Sequence, residues 1–466
     1  MSSQDSPLSL GTDSISKLLF RYAMPAIIAQ VAASLYNIVD SIFVGQGVGP
    51  LAITGLALTM PMMNLSAAFG AMVGAGSAAL TSIRLGQGNK AAAENILGNV
   101  VLLNVVLGMA IMLFGLVYID ELLYFFGASD QTLPYAREYM RIILYGNITQ
   151  HLYLGMNDMI RASGNPRKSM AIMLTSVAVN LILNPLFIFK FGWGIKGSAA
   201  ATVIAQFVAC LIALSHFCSK SSFLRFKREA FHFDLKIVGN ILSIGLAPFL
   251  MNLCASMVAA FVNTAMLRYG GTGMHDIITR EQGAADLYVG AYGIVNRVAL
   301  LFIMIIQGLN QGMQPIVGYN YGAKNFARVR KAVFMTIGCG MAIGTLGFIL
   351  GETIPEVIAS AFVDSSKGGD EQLMITAAAQ GMRIILIMFP LVGFQVVVGG
   401  FFQYIGKAPL AIFVSLTRQL LFLLPLLWIL PRHLGAYGVW SSMPIADSAS
   451  ILLAFILFVW QIRKIK

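Results

Sequence analysis

Apolar runs long enough to cross a hydrocarbon core of roughly 30 Å recur from one end of the chain to the other, separated by short polar stretches. They predict spans at 16–45, 52–80, 91–117, 136–161, 169–190, 197–218, 236–268, 286–317, 330–351, 376–403, 408–430 and 438–462. Several are longer than a perpendicular crossing needs, so tilt, kinks or extension beyond the bilayer are expected. The pattern is that of an all-α polytopic membrane protein with twelve transmembrane helices.

Composition excludes the alternative of a soluble fold. Of 466 residues, 58% are hydrophobic and 11% charged, whereas soluble domains carry about a quarter charged residues. Charge then sets the orientation, because Lys and Arg in short loops stay on the cytoplasmic side. With the N-terminus inside, Arg84, Lys90, Arg161, Arg167, Lys168, Lys220, Arg225, Lys227, Arg228, Lys324, Arg328, Arg330, Lys331, Lys407 and the tail Arg463, Lys464 and Lys466 are all expected in cytoplasmic segments. The opposite loops hold Asp120, Glu121, Asp130, Glu352, Glu356 and Asp370. An even number of spans puts both termini in the cytoplasm. The net charge of +11 thus reflects topology and an anionic inner leaflet, and no soluble basic module suggests a nucleic-acid partner. Residues 1–11 lack the charged-then-apolar run of a cleavable signal, so the first span is expected to be retained. Cys210, Cys218, Cys254 and Cys339 show no CxxC spacing, and neither a disulfide nor a zinc site is expected.

The chain reads as two halves of one plan: residues 1–218, a basic linker at 219–235, and residues 236–466. Met24-Pro25-Ala26 matches Ala247-Pro248-Phe249, a register that sets Asp40 opposite Asn263. Ile53-Thr54-Gly55-Leu56 matches Ala291-Tyr292-Gly293-Ile294, and Arg84 to Asn89 resembles Asn320 to Asn325. Ile160 to Pro166 matches Tyr404 to Pro409. Six spans return the chain to its starting side, so the halves form a parallel repeat about an axis along the membrane normal, a plan associated with alternating access. Small-residue pairs such as Gly70/Gly74 and Gly340/Gly344 permit close helix contact.

The motifs carry a family resemblance over nearly the whole chain. They are Pro25 with Tyr36-Asn37-Xaa-Xaa-Asp40, Leu85-Gly86-Xaa-Gly88-Asn89, Arg161-Xaa-Xaa-Gly164-Asn165-Pro166, Asn180-Xaa-Xaa-Xaa-Asn184-Pro185 and Gly318-Tyr319-Asn320-Tyr321-Gly322-Ala323. Together they resemble the MATE family of multidrug and toxic-compound extrusion transporters, and within it the DinF-like branch, since Asp40 is present and the seventh and tenth spans hold no interior acid. The resemblance implies a V-shaped exporter of two six-helix lobes in a bacterial or archaeal-type inner membrane. It would expel amphipathic, often cationic drugs in exchange for H⁺ or Na⁺, with no other cofactor and as a monomer. Where many relatives carry Asp before the proline of the fifth span, this chain has Asn184. That removes one formal charge from a Na⁺ site and favours H⁺ coupling.

Asp40 is the central candidate. A carboxylate near the bilayer centre is costly unless it faces protein or a water-filled cavity, and such a group is either a proton carrier or a permanently hydrogen-bonded structural element. Tyr36 and Asn37 share its helical face, Asn180 and Asn184 share another at i, i+4, and Pro185 frees a backbone carbonyl beside them. Thr202 is the polar neighbour that the resemblance adds. Asp40, Asn180, Asn184 and Thr202 are also the expected set if Na⁺ binds, while Pro25 is the expected hinge of the first span. The second half has Asn263, Phe422 and Leu426 at the corresponding positions, so the polar cluster belongs to one half only.

Asp158 is a second proton candidate, although Arg161 one turn away offers it an ion pair. Arg418 and Asp447 are expected to brace the second half as a pair, and Arg297 is expected as a buried cation. Met60, Met63, Met251, Met257, Phe261 and Met304 offer adaptable apolar surface. Gln307, Asn310, Gln311 and Gln314 form a polar stripe that either hydrates a passage or binds neighbouring helices. His151, His216, His232, His275 and His433 are scattered, expected at interfaces, and make no HExxH motif; with no Walker motif either, an enzyme or intrinsic ATPase is not indicated. A lipid-linked precursor flippase of the same superfamily is the alternative, though it would want cations rather than Asp and Asn in its cleft.

Overall fold

A computed structural model describes residues 7–220, 222–279, 284–362 and 369–465, apart from the side chains of Asn37, Pro50, Ala284 and Ala285. Every regular element among them is helical. Ten spans are individually long and apolar enough to cross a membrane. The first three are Ile15–Gly47, Pro50–Gly86 and Lys90–Val117, and the fifth to ninth are Pro166–Pro185, Ile195–Cys218, Leu235–Tyr269, Ala284–Gly322 and Phe326–Thr353. The eleventh and twelfth are Ala408–Ile429 and Pro431–Lys464.

The two remaining spans are broken for identifiable reasons. The tenth is the pair Asp370–Leu386 and Phe389–Tyr404, bent by 54°; Pro390, just after the break, has no N–H with which to continue the ladder. The fourth is the pair Leu133–Tyr145 and Asn147–Ala162, interrupted at Gly146. It carries Arg137, Glu138, Arg141, Asp158 and Arg161, yet it also buries Tyr139, Met140, Ile143, Met156, Met159 and Ile160 completely or nearly so. A span enclosed by protein on that face can keep polar groups that lipid would reject. Twelve crossings of an all-α membrane protein result.

The chain divides into two compact units, one of Met1–Asn252, Gln311–Val329 and Gln403–Ala408, the other of Leu253–Asn310, Arg330–Phe402 and Pro409–Lys466. In the first unit the fourth span packs against the second, third and sixth, and the fifth lies between the first and sixth. Gly108 shows why the fourth span approaches so closely: a Cβ there would stand 2.8 Å from the Ile148 Cα. Gly70 and Gly74 likewise leave room for His151 and Asp158. The linker is pinned to the third span, where buried Glu94 pairs with Lys227 at 2.5 Å and Lys90 at 3.9 Å. The Asp234 N–H donates to Asn99 Oδ1 at 2.9 Å, and Asp234 in turn caps the start of the seventh span.

In the second unit, Trp440, Tyr288, Phe389 and Val392 lie in one apolar core with residues of the seventh, eighth, tenth and twelfth spans. Gly435, at φ +62°, turns the chain into the twelfth span. Asp276 then caps that helix in trans, accepting from the N–H groups of Ala436 and Tyr437 at 3.0 Å each. Arg418 donates to Asp447 at 2.5 and 3.4 Å, within a π-helical stretch of the eleventh span, Thr417–Leu423.

Two expectations change, and one open alternative narrows. His151 and His216 are buried rather than interfacial, because serines hold them: Ser66 Oγ lies 3.2 Å from His151 Nε2 and Ser222 Oγ 3.2 Å from His216 Nε2. Arg297 is exposed on its helix rather than buried within the protein. The glutamine stripe binds its neighbours, with Gln311 and Gln314 accepting from Arg161 and Asn310 donating to the Val396 carbonyl.

Candidate functional site

Three helices of the first unit bring polar residues to one point. The fifth span continues past Asn184-Pro185 into a π-helical turn, Leu186–Lys190, a distortion that often marks functional sites. Pro185 supplies the cause, since it lacks the N–H that an α-helix would use. The chain then reverses through Gly192 and Gly194, both at positive φ, and enters the sixth span. That tight reversal lays the two helices antiparallel, so Asn180 meets Thr202 while Asn184 comes level with Ser198.

The first span completes the cluster, and its members form two layers one helical turn apart. In one layer, Asn180 Nδ2 donates to Thr202 Oγ1 at 3.0 Å and to the Tyr36 hydroxyl at 3.2 Å. The Tyr36 and Thr202 hydroxyls are 3.1 Å apart. In the other, Ser198 Oγ donates to Asp40 Oδ1 at 2.9 Å, and Asn184 Nδ2 donates to the same oxygen. Each helix thus contributes one i, i+4 pair: Tyr36/Asp40, Asn180/Asn184 and Ser198/Thr202.

Asp40 is 6% exposed, and its hydrogen-bond donors are neutral. A hydrogen bond to an ionised group is worth about 1.5–3 kcal/mol, so two donors on Oδ1 recover part of the cost of burying a carboxylate without supplying a counter-charge. Oδ2 has no such donor among the described residues, which leaves it as the oxygen able to take a proton. The Oδ1 atoms of Asn180 and Asn184 are buried and accept no hydrogen bond among the described residues.

Of the residues singled out in the sequence, the structure brings together Tyr36, Asp40, Asn180, Asn184 and Thr202. The Asn37 side chain lies outside the described residues. Asp158 is elsewhere: its Oδ1 is 2.9 Å from Arg161 Nη2, and that guanidinium also donates to Gln311 at 3.1 Å and Gln314 at 3.4 Å. Pro25 lies inside the first span, ten residues after it begins at Ile15. Ser198 and Tyr139 were not anticipated. Ser198 could have been found one turn before Thr202, on the same face. Tyr139 is buried with its hydroxyl hydrogen-bonded to Thr202; nothing in its local sequence separates it from other buried aromatics.

Comparison with known proteins gives consistent results. A family model described as MatE matches residues 25–186 and 277–429, more than half of the chain. The multidrug export protein MepA of Staphylococcus haemolyticus strain JCSC1435 is 25% identical over 455 residues, covering 97% of this chain and 94% of that protein. MepA of Staphylococcus aureus strain MRSA252 is 24% identical, covering 95% and 93%. Among solved structures, the outward-facing conformation of a multidrug resistance MATE family transporter of the MOP superfamily superposes with a TM-score of 0.89 at 24% identity, covering 98% of both chains. A MOP superfamily transporter from Pyrococcus furiosus, described as having a binding pocket of reverse polarity, gives the same score, identity and coverage.

Proposed function

The chain belongs to the MatE family of membrane transporters, and from that premise we propose that it is a multidrug efflux antiporter, expelling amphipathic, often cationic compounds while a proton moves inward. The observation that carries the reading is Asp40: a buried carboxylate inside a membrane span, held on one oxygen by Ser198 and Asn184 and, among the described residues, paired with no base. Such a group costs several kcal/mol to keep in hydrocarbon, and a structural role alone would be met by a neutral side chain. Its absence from the second half, where Asn263 is exposed, argues in the same direction.

In this reading Asp40 Oδ2 takes the proton on the outer side and gives it up to the inner. Ser198 and Asn184 favour the ionised form, so loading the proton weakens their bonds and releases the first span from the fifth and sixth. Pro25 gives that span a point at which to bend. The lobes 1–218 and 236–466, joined by the 219–235 linker, then alternate access in the cytoplasmic membrane, with both termini inside. MepA is named for multidrug export, which supports drugs as the cargo.

A second reading places Na⁺ at the same point. The unpartnered Asn180 and Asn184 carbonyl oxygens, with Asp40 and Thr202 Oγ1, offer a set of oxygens of the kind hard cations prefer. Ethidium uptake or release in proteoliposomes, driven by an imposed H⁺ gradient or an imposed Na⁺ gradient, separates the two. Asp40→Asn should abolish the gradient-driven component in either case while leaving the protein folded. Wild-type exchange in that variant would remove Asp40 from the mechanism.

A further inference from the structure

Among the described residues three carboxylates are buried, Asp40, Glu94 and Asp447, exposed by 6, 2 and 3%. Two are neutralised: Glu94 by Lys227 and Lys90, and Asp447 by Arg418. The acid of the fourth span, Asp158, is likewise paired with Arg161 at 2.9 Å. Protonating Asp447 would leave the partly buried Arg418 unpaired, which is strongly unfavourable, and protonating Glu94 or Asp158 would give up an ion pair that Asp40 does not have. Asp40 differs because its partners are the neutral Ser198 hydroxyl and Asn184 amide. Among the described buried acids it alone can change charge without breaking an ion pair.

We infer that the transporter exchanges one monovalent cation for each drug molecule, so that a substrate with a single fixed positive charge leaves with no net movement of charge. This rests on the antiport reading above, and it narrows that reading to a coupling ratio and a favoured charge class. One O–H bond forms at Asp40 Oδ2 on the outer side and breaks toward the inner side, and the departing proton goes to water. A monocation leaving against that proton is unaffected by membrane voltage. A zwitterion leaves with one net charge moving inward, and its export is assisted by an inside-negative potential. A second dissociable carboxylate in the cluster would double the charge and make monocation export voltage-driven.

The test uses the full chain in proteoliposomes loaded with ethidium, a permanent monocation, with the potential set by potassium and valinomycin. With the potential clamped at zero, one coupled proton gives a limiting ethidium ratio of tenfold per pH unit, and the ratio should not change as the potential is varied. A hundredfold ratio per pH unit, or a further tenfold change for each ~59 mV applied, would mean two charges and would overturn the inference. If a Na⁺ gradient drives exchange instead, proton coupling fails while the inference stands at tenfold per decade of Na⁺ and falls at hundredfold. Transport that responds to neither gradient sinks both the function and the ratio. The double variant Arg418→Met with Asp447→Asn should keep the tenfold ratio; a change in ratio would show that the second half's acid also carries charge.

Discussion

Replacing Arg418 with Met tests whether the ion pair of the second unit is a brace. Met fills much of the aliphatic volume of Arg, but Asp447 loses both guanidinium contacts, at 2.5 and 3.4 Å, and remains 3% exposed. Unit charges about 3 Å apart attract by roughly 5–6 kcal/mol at an effective dielectric of about 20. Desolvation offsets much of that when the pair forms, yet removing one partner leaves the full cost of the other, about 3–5 kcal/mol. At 1.4 kcal/mol per decade, this is a fall of roughly a hundred- to several-thousandfold in the folded-to-unfolded ratio.

The assay is thermal denaturation in detergent, followed by fluorescence-detected size exclusion, on Arg418→Met, Asp447→Asn and the double variant. The single Arg418→Met should melt well below wild type. The double variant should recover most of the loss, because swapping a whole buried pair for neutral groups is often harmless or stabilising. Two results would refute the bracing argument: wild-type melting of Arg418→Met, or a double variant that is stable but no longer transports. The second outcome would move the pair from scaffold to mechanism.

Three further outcomes are expected. A Cβ at Gly245 would stand 2.6 Å from the Met72 carbonyl carbon, so Gly245→Val should cost about 1–3 kcal/mol by overpacking, read as a lower melting temperature; unchanged melting would mean the seventh span can shift freely from the second. Arg328 Nη2 donates to the Leu10 and Asp13 carbonyls at 3.0 and 2.5 Å, and Arg328→Ala should speed amide exchange of residues 7–13 by about 10- to 100-fold, for about 1.5–3 kcal/mol of lost bonding; unaltered protection would mean that Asn320, which donates to the same Leu10 carbonyl, and packing hold the segment without Arg328. The hydrogen bond to Glu94, and then its charge, hold the Lys227 ammonium above the usual lysine range. A raised folded pKa gives stabilisation that is complete below the ordinary value near about 10.4 and disappears as pH rises through the folded one. Glu94→Gln should therefore expose the linker to trypsin at pH 8, where wild type resists, and wild-type resistance in that variant would detach the clamp from the charge.

The sequence made the spans legible because a hydrocarbon core imposes a length that composition must satisfy. It was less informative where protein replaces lipid. The fourth span has charges throughout, and ion pairs invisible in its own sequence account for most of them: Arg137 with Asp120, Glu138 with Lys196 and the buried Arg161 with Asp158. The π-helical turns at Leu186–Lys190 and Thr417–Leu423 left no pattern beyond Pro185 and Pro425, since a one-residue change in hydrogen-bond spacing barely disturbs hydrophobic periodicity. The burial of His151 and His216 depended on Ser66 and Ser222, partners distant in sequence or across a turn. Ser198 was obscured among Gly197, Ala199, Ala200 and Ala201, where a small residue reads as packing.

The layered cluster explains why one half of a duplicated plan can change alone. Each of its three helices gives two polar residues one turn apart, and losing any one leaves a buried partner unsatisfied at a cost of about 1–3 kcal/mol. The corresponding positions of the second half hold none of the set. Phe422 and Leu426 pack against its apolar core, Asn263 is exposed, and its buried acid, Asp447, is tied to Arg418 on the neighbouring span. A neutralised pair suits a lobe that must hold its shape, whereas an acid supported only by hydroxyl and amide donors can change charge without leaving a stranded base. The asymmetry therefore follows from cooperative burial: intermediate combinations, such as Asp40 opposite an apolar fifth span, would be the least stable of all. Asn184→Leu, which builds that intermediate, should destabilise the first unit more than Asp40→Asn does, and the reverse order of melting temperatures would break this account.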